Sequence, residues 1–305
     1  MYDVVIIGAG PAGYTAGIYC SRARHNTLLI SGILPGGQLM NTTDVENYPG
    51  FSDGIMGPDL MTVMRKQTEK MGTKIIDDEV TSVDFQTTPL KVKTASEEFE
   101  ARTVIVCTGA NPRKIGLDGE QTFAGKGVSY CATCDGAFFK DQELIVVGGG
   151  DSAMEEATFL TKFASTVHIV HRREEIRASK IMQERALANE KIKVHFNCTV
   201  KDIQGNQKFR KVILNNTKTN EDEILDAGGL FVAIGHEPNS KMFQNQLELD
   251  ENGYVIIKNN TETSIPGVFC AGDVHDHRYR QAVTAAGFGC MAAIDVDKYL
   301  AESKN

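Results

Sequence analysis

Two short runs of apolar residues are each followed by a glycine-rich turn and a helix-like stretch. In the first series, residues 4–7 are apolar, residues 8–13 read GAGPAG, and residues 27–30 predict the next strand. Apolar runs of this length are typical of strands buried on both faces of a parallel sheet. The order strand, glycine turn, helix, strand predicts a dinucleotide-binding βαβ unit.

The same order recurs about 140 residues further along the chain. Residues 144–147 predict a strand, residues 148–153 read GGGDSA, and residues 154–163 and 167–170 predict the next helix and strand. We therefore expect an α/β protein with two Rossmann-like dinucleotide-binding domains, each built of three layers.

The C-terminal part of the chain predicts a strand at 268–270, a turn at 271–273 and a helix at 281–300. Residues at helical spacing predict the buried face of that helix: Ala282, Val283, Ala286, Cys290, Ala293 and Ile294. The segment after residue 245 spans about 60 residues, a length at which burial is marginal for an independent domain. It is therefore predicted to complete the first domain.

The domain organisation that follows is one domain inserted into another. Proline-containing loops at 111–113 and 236–239 each follow an apolar strand and a glycine, and they are the predicted crossing points. We expect a discontinuous domain over residues 1–113 and 244–305, and an inserted domain over residues 114–243.

Composition and charge narrow the function classes. The chain has 305 residues, 41% hydrophobic and 24% charged, which is typical of a globular protein. The net charge of −8 disfavours binding to nucleic acid or to an anionic membrane, so an anionic ligand would need a local basic site. No basic segment precedes residues 4–7, and no apolar run approaches the ~18 residues of a membrane span. We expect a soluble cytoplasmic protein, in which thiols are mostly reduced.

The second glycine turn is followed by a basic strand end. His171, Arg172 and Arg173 stand where a carboxylate would bind a ribose hydroxyl, and Arg177 follows one helical turn later. Arginine side chains suit a 2′-phosphate, which favours NADP(H) over NAD(H). The alternative is an ordinary solvated charge cluster, because two glutamates follow directly.

The first glycine turn lacks the expected acidic partner. No Asp or Glu lies between Asp3 and Asp44, and Ser31 occupies the end of the second strand. A serine hydroxyl can still hydrogen-bond a ribose, and residues 36–38 supply a further glycine-rich backbone. Asp273 could accept hydrogen bonds from a polyol, or it could be a turn or helix-capping residue.

The chain has seven cysteines, of which Cys131 and Cys134 form a CxxC motif. Zinc would need two more ligands, and the chain offers only the loose pair His275 and His277, so we expect no metal. Redox chemistry explains the spacing better, because one thiolate can attack a partner disulfide while the other resolves the mixed disulfide. Asp135 could then move protons to and from a thiolate. The other five cysteines are predicted to be buried small hydrophobes.

Taken together, the motifs GAGPAG, GGQL, CATCDG, GGGDSAMEEA, VHRREEIRASK and AGDV…YRQAVTAAGFGCMAA resemble those of the low-molecular-weight thioredoxin reductases. The resemblance covers nearly the whole chain. It implies FAD on the discontinuous domain, NADPH on the inserted domain, a homodimer, and thioredoxin as protein substrate.

The resemblance also implies a set of binding residues. Those expected to bind FAD are Gly8, Gly10, Pro11, Ala12, Gly13, Ser31, Gly32, Gly36, Gly37, Gln38, Leu39, Asn47, Gly109, Gly272, Asp273, Arg280, Gln281 and Ala282. Those expected to bind NADPH are Gly149, Gly150, Asp151, Ser152, Ala153, Glu155, His171, Arg172, Arg173, Arg177 and Gly235.

The implied mechanism passes a hydride from NADPH to FAD, then two electrons to a Cys131–Cys134 disulfide, and ends in dithiol exchange with thioredoxin. By resemblance, Cys134 lies nearest the flavin, Cys131 attacks the substrate, and Asp135 is the acid/base. A disulfide against the flavin cannot at the same time meet a large protein, so the family's rotation of the inserted domain is expected at the crossing loops.

Other functions share parts of this pattern. A reductase of the alkyl hydroperoxide type has an additional N-terminal disulfide region, for which we expect no room before the strand at residue 4. Ferredoxin-dependent relatives should lack the arginine cluster, and ferredoxin–NADP relatives the CxxC. A non-catalytic redox or dinucleotide sensor would bind nucleotides without turnover.

Overall fold

A computed structural model describes residues 1–32, 35–42 and 44–303. The chain forms two compact units, one of Met1–Asn111 with Glu237–Asn305 and the other of Pro112–His236. The second unit is thus inserted into the first along the sequence. None of the helices in the described ranges is both long and apolar enough to cross a membrane.

The elements follow one another in this order. The first stretch contains β1 (Tyr2–Ile7), α1 (Pro11–Arg22), β2 (Thr27–Ile30), β3 (Asp44–Val45), β4 (Ile55–Met56), α2 (Gly57–Lys70), β5 (Lys74–Ile76), β6 (Val80–Asp84), β7 (Leu90–Thr94), β8 (Glu98–Val106) and β9 (Ala110–Pro112). The inserted stretch contains α3 (Asp118–Thr122), β10 (Val128–Ser129), α4 (Ala132–Asp135), β11 (Glu143–Val147), α5 (Asp151–Leu160), β12 (Thr166–His171), α6 (Lys180–Leu187), β13 (Ile192–Phe196), β14 (Cys198–Gly205), β15 (Phe209–Asn216), β16 (Asp222–Asp226) and β17 (Gly229–Val232). The last stretch contains β18 (His236–Pro238), β19 (Val268–Cys270) and α7 (Ala282–Glu302).

The first unit is built on a sheet whose described strands run in the order β5-β2-β1-β8-β7-β6, with β19 also paired to β8. Strands β5, β2, β1, β8 and β19 are parallel, whereas β7 and β6 pair in antiparallel fashion. The strand order reverses at β1, because β2 lies on one side and β8 on the other. Ligands of such sheets bind at the carboxyl ends of the strands beside this reversal, where the first glycine turn lies.

Both faces of that sheet are covered, which explains the continuous apolar runs. Val4 and Ile6 pack with α1 and α7 on one face, whereas Val5 and Ile7 pack on the other face. All four side chains are at most 3% exposed. Side chains alternate between the faces of a strand, so only an apolar residue at every position buries both faces.

The second unit repeats the pattern in a parallel sheet of order β10-β17-β11-β12-β13. A separate antiparallel sheet, β14-β15-β16, packs on one of its faces. The second glycine turn follows β11, again where the strand order reverses. The predicted α/β class with two Rossmann-like units is therefore confirmed.

The return to the first unit comes earlier than residue 244. The chain re-enters it at Glu237, and β18 pairs with β9 where the two connecting segments meet. Phe243 is fully buried in the core of the first unit, where its ring stacks on Phe85 at a centroid distance of 6.1 Å. Residues 237–243 thus belong to the first unit, because burial of this aromatic ring outweighs the loop-like character of the segment.

The buried face of α7 differs from the predicted face. Val283 and Ile294 are 42% and 44% exposed. Of the predicted face, Ala286 and Ala293 are buried as expected, and the helix also buries Ala285, Gly289, Ala292, Val296 and Leu300. A Cβ on Gly289 would lie 2.1 Å from the carbonyl oxygen of Ala12, so α7 turns its smallest residues toward α1.

This contact predicts opposite effects for two glycines of the same helix. Gly289→Ala forces a methyl group against the α1 backbone and should cost at least about 2 kcal/mol, seen as a fall of several degrees in unfolding temperature. Gly287→Ala is the matched control, because no atom lies within 4 Å of its Cβ position. It should leave the unfolding temperature unchanged or raise it, because alanine favours helix over glycine. Circular dichroism melts measure both, and equal effects would contradict the close approach.

Candidate active site

In the first glycine turn, neighbouring backbone atoms leave no room for a side chain at two of the glycines. Gly8 has φ +108°, and a Cβ there would lie 2.4 Å from the carbonyl oxygen of Cys107. A Cβ on Gly13 would lie 1.9 Å from the carbonyl oxygen of Gly8, whereas no atom lies within 4 Å of the position above Gly10. Helix α1 starts at Pro11 without a side-chain cap. The turn therefore offers free backbone N–H groups to an anion such as a pyrophosphate.

The second glycine-rich stretch lies against the first turn. Gly36 donates its N–H to the carbonyl of Ala9 at 3.0 Å, and a Cβ on Gly37 would lie 3.7 Å from the Cα of Gly10. Positive φ angles at Gly36 and Gly37 (+110° and +62°) give the stretch its sharp bend. The chain thus brings two glycine-rich segments to one place.

The predicted polar partners of that site form side-chain pairs. Gln38 donates to the side-chain oxygen of Asn111 at 2.6 Å, and Asn47 donates to that of Gln281 at 3.3 Å. Leu39 packs on the core below. Three other predicted residues lie at strand ends, with Ser31 and Gly32 after β2 and Gly109 (φ +68°) after β8, and Ala12 lies in α1.

The turn after β19 comes close to the start of α1. A Cβ on Gly272 would lie 3.1 Å from the Cβ of Ala12. The carboxylate of Asp276 accepts hydrogen bonds from the N–H groups of Arg278, Tyr279 and Arg280 at 2.9 to 3.2 Å. Asp276 thereby fixes the loop before α7, including Arg280 at φ +48°. Sequence reasoning missed Asp276, because an aspartate in a turn is not distinctive.

The same loop fixes the predicted residues that start α7. Gln281 is the N-cap of the helix and forms a capping box with Thr284, and Ala282 is the first helical residue. The capping box orients the Gln281 side chain, which also reaches Asn47.

Asp273 carries a buried acceptor without a partner. Its Oδ1 atom is shielded from solvent and has no hydrogen-bond partner among the described residues. Burial raises the pKa of Asp273 to about 7, and the neighbouring Asp276 adds to the shift. A buried oxygen without a donor is costly, so a ligand that donates hydroxyl groups would be stabilised here.

The second glycine turn leaves a similar opening. A Cβ on Gly149 would lie 2.1 Å from Nδ1 of His171, whereas no atom lies within 4 Å of the position above Gly150. His171 is buried, and its Nε2 lies 2.9 Å from the carbonyl oxygen of Glu175. His171 thus lies under the turn and supports it, whereas Ser152 and Glu155 are exposed on the first turns of α5 and Ala153 is buried.

The arginine cluster is brought to this turn by backbone hydrogen bonds. The carbonyl oxygen of Gly149 accepts from the N–H groups of Arg177 and Ala178, at 2.8 and 3.1 Å. The Asp151 carboxylate accepts from both the N–H and the hydroxyl of Ser179 at 2.8 Å. These bonds fix the loop that carries Arg177, and Gly235 (φ +99°) accepts a hydrogen bond from the N–H of Arg113.

The charges around the cluster favour an anion. Arg172, Arg173 and Arg177 are exposed, and within the described residues no ion pair joins them to a carboxylate. Glu174, which follows Arg173 in sequence, hydrogen-bonds Lys218 instead. Glu174 therefore does not neutralise the arginines, which argues against the alternative of an ordinary charge cluster.

Cys131 and Cys134 form a disulfide across the short helix α4. Cys131 is the N-cap of that helix, and its Sγ accepts a hydrogen bond from the Cys134 N–H at 3.2 Å. Both cysteines are half-buried.

Ser129 hydrogen-bonds both Asp135 and the backbone of Cys131. Its hydroxyl donates to the Asp135 carboxylate at 2.5 Å and accepts from the Cys131 N–H at 3.1 Å. Burial raises the pKa of Asp135, and the hydrogen bond from Ser129 opposes that shift. Asp135 is therefore suited to hold a proton beside the cysteines. Sequence reasoning missed Ser129, because nothing about an isolated serine marks it.

Tyr130, the residue before the disulfide, is held in place by Glu120. Its hydroxyl donates to the carboxylate of Glu120 at 3.2 Å, and that carboxylate also accepts from the N–H groups of Ile115 and Gly116. Glu120 is only 1% exposed. Burial and this carboxylate raise the pKa of Tyr130.

Comparison with known proteins identifies the family. The family model described as pyridine nucleotide-disulphide oxidoreductase matches residues 2–289. The chain belongs to this family. Membership implies that the oxidoreductase uses a flavin and a pyridine nucleotide in disulfide chemistry, and the two glycine turns and the disulfide fit that chemistry.

Individual relatives are similar over nearly their whole length. The chain is 55% identical to a thioredoxin reductase of Streptomyces clavuligerus over 303 residues, covering 98% of this chain and 94% of that protein. It is 52% identical to a thioredoxin reductase of Mycolicibacterium smegmatis, covering 99% and 97%. Among solved structures, the thioredoxin reductase of Streptococcus pyogenes matches with a TM-score of 0.95 at 44% identity, covering 99% of each chain.

The free cysteines of the oxidoreductase are structural. Cys20, Cys107, Cys198 and Cys270 are buried, as predicted, whereas Cys290 is half-buried. Burial raises the pKa of Cys20 to about 12 and that of Cys107 further still. Such thiols stay protonated and unreactive near neutral pH.

His275 and His277, the pair considered above as possible zinc ligands, pack against aromatic rings in the oxidoreductase. His275 meets the ring of Phe288 edge-on at 4.4 Å, and His277 lies 5.6 Å from the ring of Tyr254. Burial lowers the pKa of His275 to about 4. No group of three or more histidine, cysteine or acidic side chains suited to a metal ion is present in the described ranges.

The raised pKa of Asp273 predicts a pH-dependent stability of the flavin-depleted protein. The folded pKa of about 7 lies above the ordinary aspartate pKa of 3.8, so this group's contribution to stability falls as the pH rises from about 4 through 7. Asp273→Asn stays neutral, so the margin by which it unfolds at a higher temperature than the parent should widen between pH 5 and pH 8. Thermal melts at both pH values measure the gap, and a gap independent of pH would contradict the buried carboxyl.

Proposed function

We propose that the chain is an NADPH-dependent thioredoxin-disulfide reductase, with FAD on the first unit and NADPH on the second. The observation that carries the proposal is the Cys131–Cys134 disulfide beside the half-buried carboxyl of Asp135, in a chain with two separate dinucleotide turns. The thioredoxin reductases with more than half of their residues identical to this chain support thioredoxin as the substrate.

The residues of the first unit fit FAD. The backbone of the Gly8 to Gly13 turn, open above Gly10, suits the pyrophosphate. Oδ1 of Asp273, which has no hydrogen-bond partner among the described residues, suits a hydroxyl of the ribityl chain. Gln281, held by the α7 capping box, and Asn47 are proposed to line the flavin pocket.

The residues of the second unit fit NADPH. The open position above Gly150 suits the pyrophosphate, and three arginines without carboxylate partners in the described chain suit a 2′-phosphate. When bound, the two cofactors supply a hydride and a two-electron path to the disulfide.

The cysteines and Asp135 then carry out the exchange. The Cys131 thiolate attacks a sulfur of the thioredoxin disulfide, a mixed disulfide forms, and the second thioredoxin sulfur leaves as a thiolate. Cys134 attacks the Cys131 sulfur, which re-forms the enzyme disulfide and releases the reduced thioredoxin. Asp135, oriented by Ser129, takes up the Cys134 proton and returns it to the departing thiolate.

Two further features are part of the proposal. The inserted unit reorients about the connecting segments between the half-reactions, because a disulfide facing the flavin cannot also meet a protein substrate. The chain acts as a cytoplasmic homodimer, as its resemblance to the thioredoxin reductases implies.

The central prediction is that the purified protein is yellow and oxidises NADPH when supplied with oxidised thioredoxin. Cys131→Ser should abolish thioredoxin reduction while NADPH still bleaches the flavin absorbance, because the variant lacks only the attacking thiolate. Cys290→Ser, at a half-buried free cysteine, is the matched control and should keep full activity. A flavoprotein that reduces no thioredoxin would refute the proposal.

The cofactor choice gives a second prediction. The double change Arg172→Ala and Arg173→Ala should raise KM for NADPH by roughly tenfold or more and leave that for NADH nearly unchanged, because only NADPH carries the 2′-phosphate. Steady-state kinetics with both nucleotides measure the ratio. Arg185→Ala, at an exposed arginine of α6, should change neither value. Equal weakening of both nucleotides would overturn the phosphate assignment.

A further inference from the structure

The first dinucleotide turn lacks an acid at the end of β2, but the fold brings one there from another strand. Ser31 follows β2 directly, and its hydroxyl donates to Oδ1 of Asp77 at 2.7 Å. Asp77 follows β5, the strand next to β2 in the sheet. The two positions are fixed by the backbone, since Ser31 donates its N–H to the carbonyl of Ile76 at 3.0 Å.

Asp77 is held by Arg65 of α2. The guanidinium donates to both carboxylate oxygens, at 2.8 and 2.9 Å, and its Nε donates to Glu69 at 3.0 Å. These hydrogen bonds hold the pKa of Asp77 below its usual value. The carboxylate is therefore ionised at neutral pH and fixed in direction.

Two neighbouring groups, the Asp77 carboxylate and the Ser31 hydroxyl, each have an oxygen that can accept a further hydrogen bond. A carboxylate offers about four lone-pair sites, and Ser31 and Arg65 use three of those on Asp77. Ser31 is 6% exposed, and its hydroxyl has one proton, which is directed toward Asp77 or the Gly32 carbonyl, so the lone pairs of its oxygen accept no side-chain or backbone hydrogen bond from the described residues. Asp77 is half-exposed, with 50% of its side chain accessible. Two acceptors within one hydrogen bond of each other match the vicinal hydroxyl groups of a ribose.

We propose that Ser31 and Asp77 together bind the adenosine ribose of the dinucleotide on the first unit, with Arg65 positioning the carboxylate. Asp77 supplies the charge that a strand-end acid supplies in the usual dinucleotide fingerprint. The inference rests on the proposed binding of FAD to this unit, and it makes Asp77 a specificity-determining residue for the ribose hydroxyls.

The test measures discrimination by the flavin-loaded protein. The holoenzyme is equilibrated with an equal mixture of FAD and an FAD analogue whose adenosine ribose lacks both hydroxyls, until the bound ratio is the same from either starting side. The bound flavins are then quantified by chromatography. The parent protein should prefer FAD by about tenfold, as expected for one or two hydrogen bonds that include a charged acceptor.

Asp77→Asn should reduce that preference by roughly threefold or more, and Ser31→Ala should reduce it as well. Asp78→Asn is the matched control, because its carboxylate accepts from Ser96 instead and its preference should stay that of the parent. A purely structural role for Asp77 would lower the flavin content or the unfolding temperature and leave the preference unchanged, which would overturn the inference. A parent that binds flavin without preference would also overturn it, whereas a parent that binds no flavin would refute the proposed function itself.

Discussion

Close approach of backbone to backbone is the constraint on which this structure depends. The carbonyl oxygen of Gly8 leaves no room for a side chain on Gly13, and the carbonyl oxygen of Ala12 leaves none on Gly289. These contacts fix where α1 begins and how α7 crosses it, so the N–H groups of the turn point to one place. A binding site made of backbone groups can be this precise only if the helices behind it cannot move apart.

The chemistry of the protein then depends on carboxyl groups whose burial and hydrogen-bond partners are fixed by the fold. Glu120 accepts three hydrogen bonds and is structural, whereas Asp273 has a buried oxygen without a donor among the described residues and is suited to a ligand. Asp135 lies between these extremes, since burial raises its pKa and one serine hydroxyl orients it. Asp77 is held ionised by an arginine. The carboxyl group thus serves as structural anchor, ligand acceptor, proton carrier or source of negative charge, and the number and charge of its partners decide which.

The sequence allowed the glycine turns, the order of the elements and the redox pair to be predicted because each depends on residues close together in the chain. Spacing alone places two cysteines on one turn, and a run of apolar residues alone marks a doubly covered strand. The inserted domain was predicted to end at residue 243, but the chain re-enters the first unit at Glu237. The sequence did not reveal this boundary, because it depends on Phe243 packing on Phe85. On α7, Ala286 and Ala293 were predicted correctly but Val283 and Ile294 were not, since the contact with α1 selects small residues rather than the most apolar ones.

The sequence by itself determined the fold class, the two dinucleotide turns and the disulfide motif. Only the tertiary structure decided which charged groups meet. Ser31 and Asp77 are 46 residues apart and become partners because β2 and β5 pair. Glu174 is adjacent to the arginine cluster in sequence but bonds Lys218, 44 residues away. Hydrogen bonds and charge pairs of this kind depend on distances of a few ångströms, which the packing of strands and helices sets and the local pattern of residues does not.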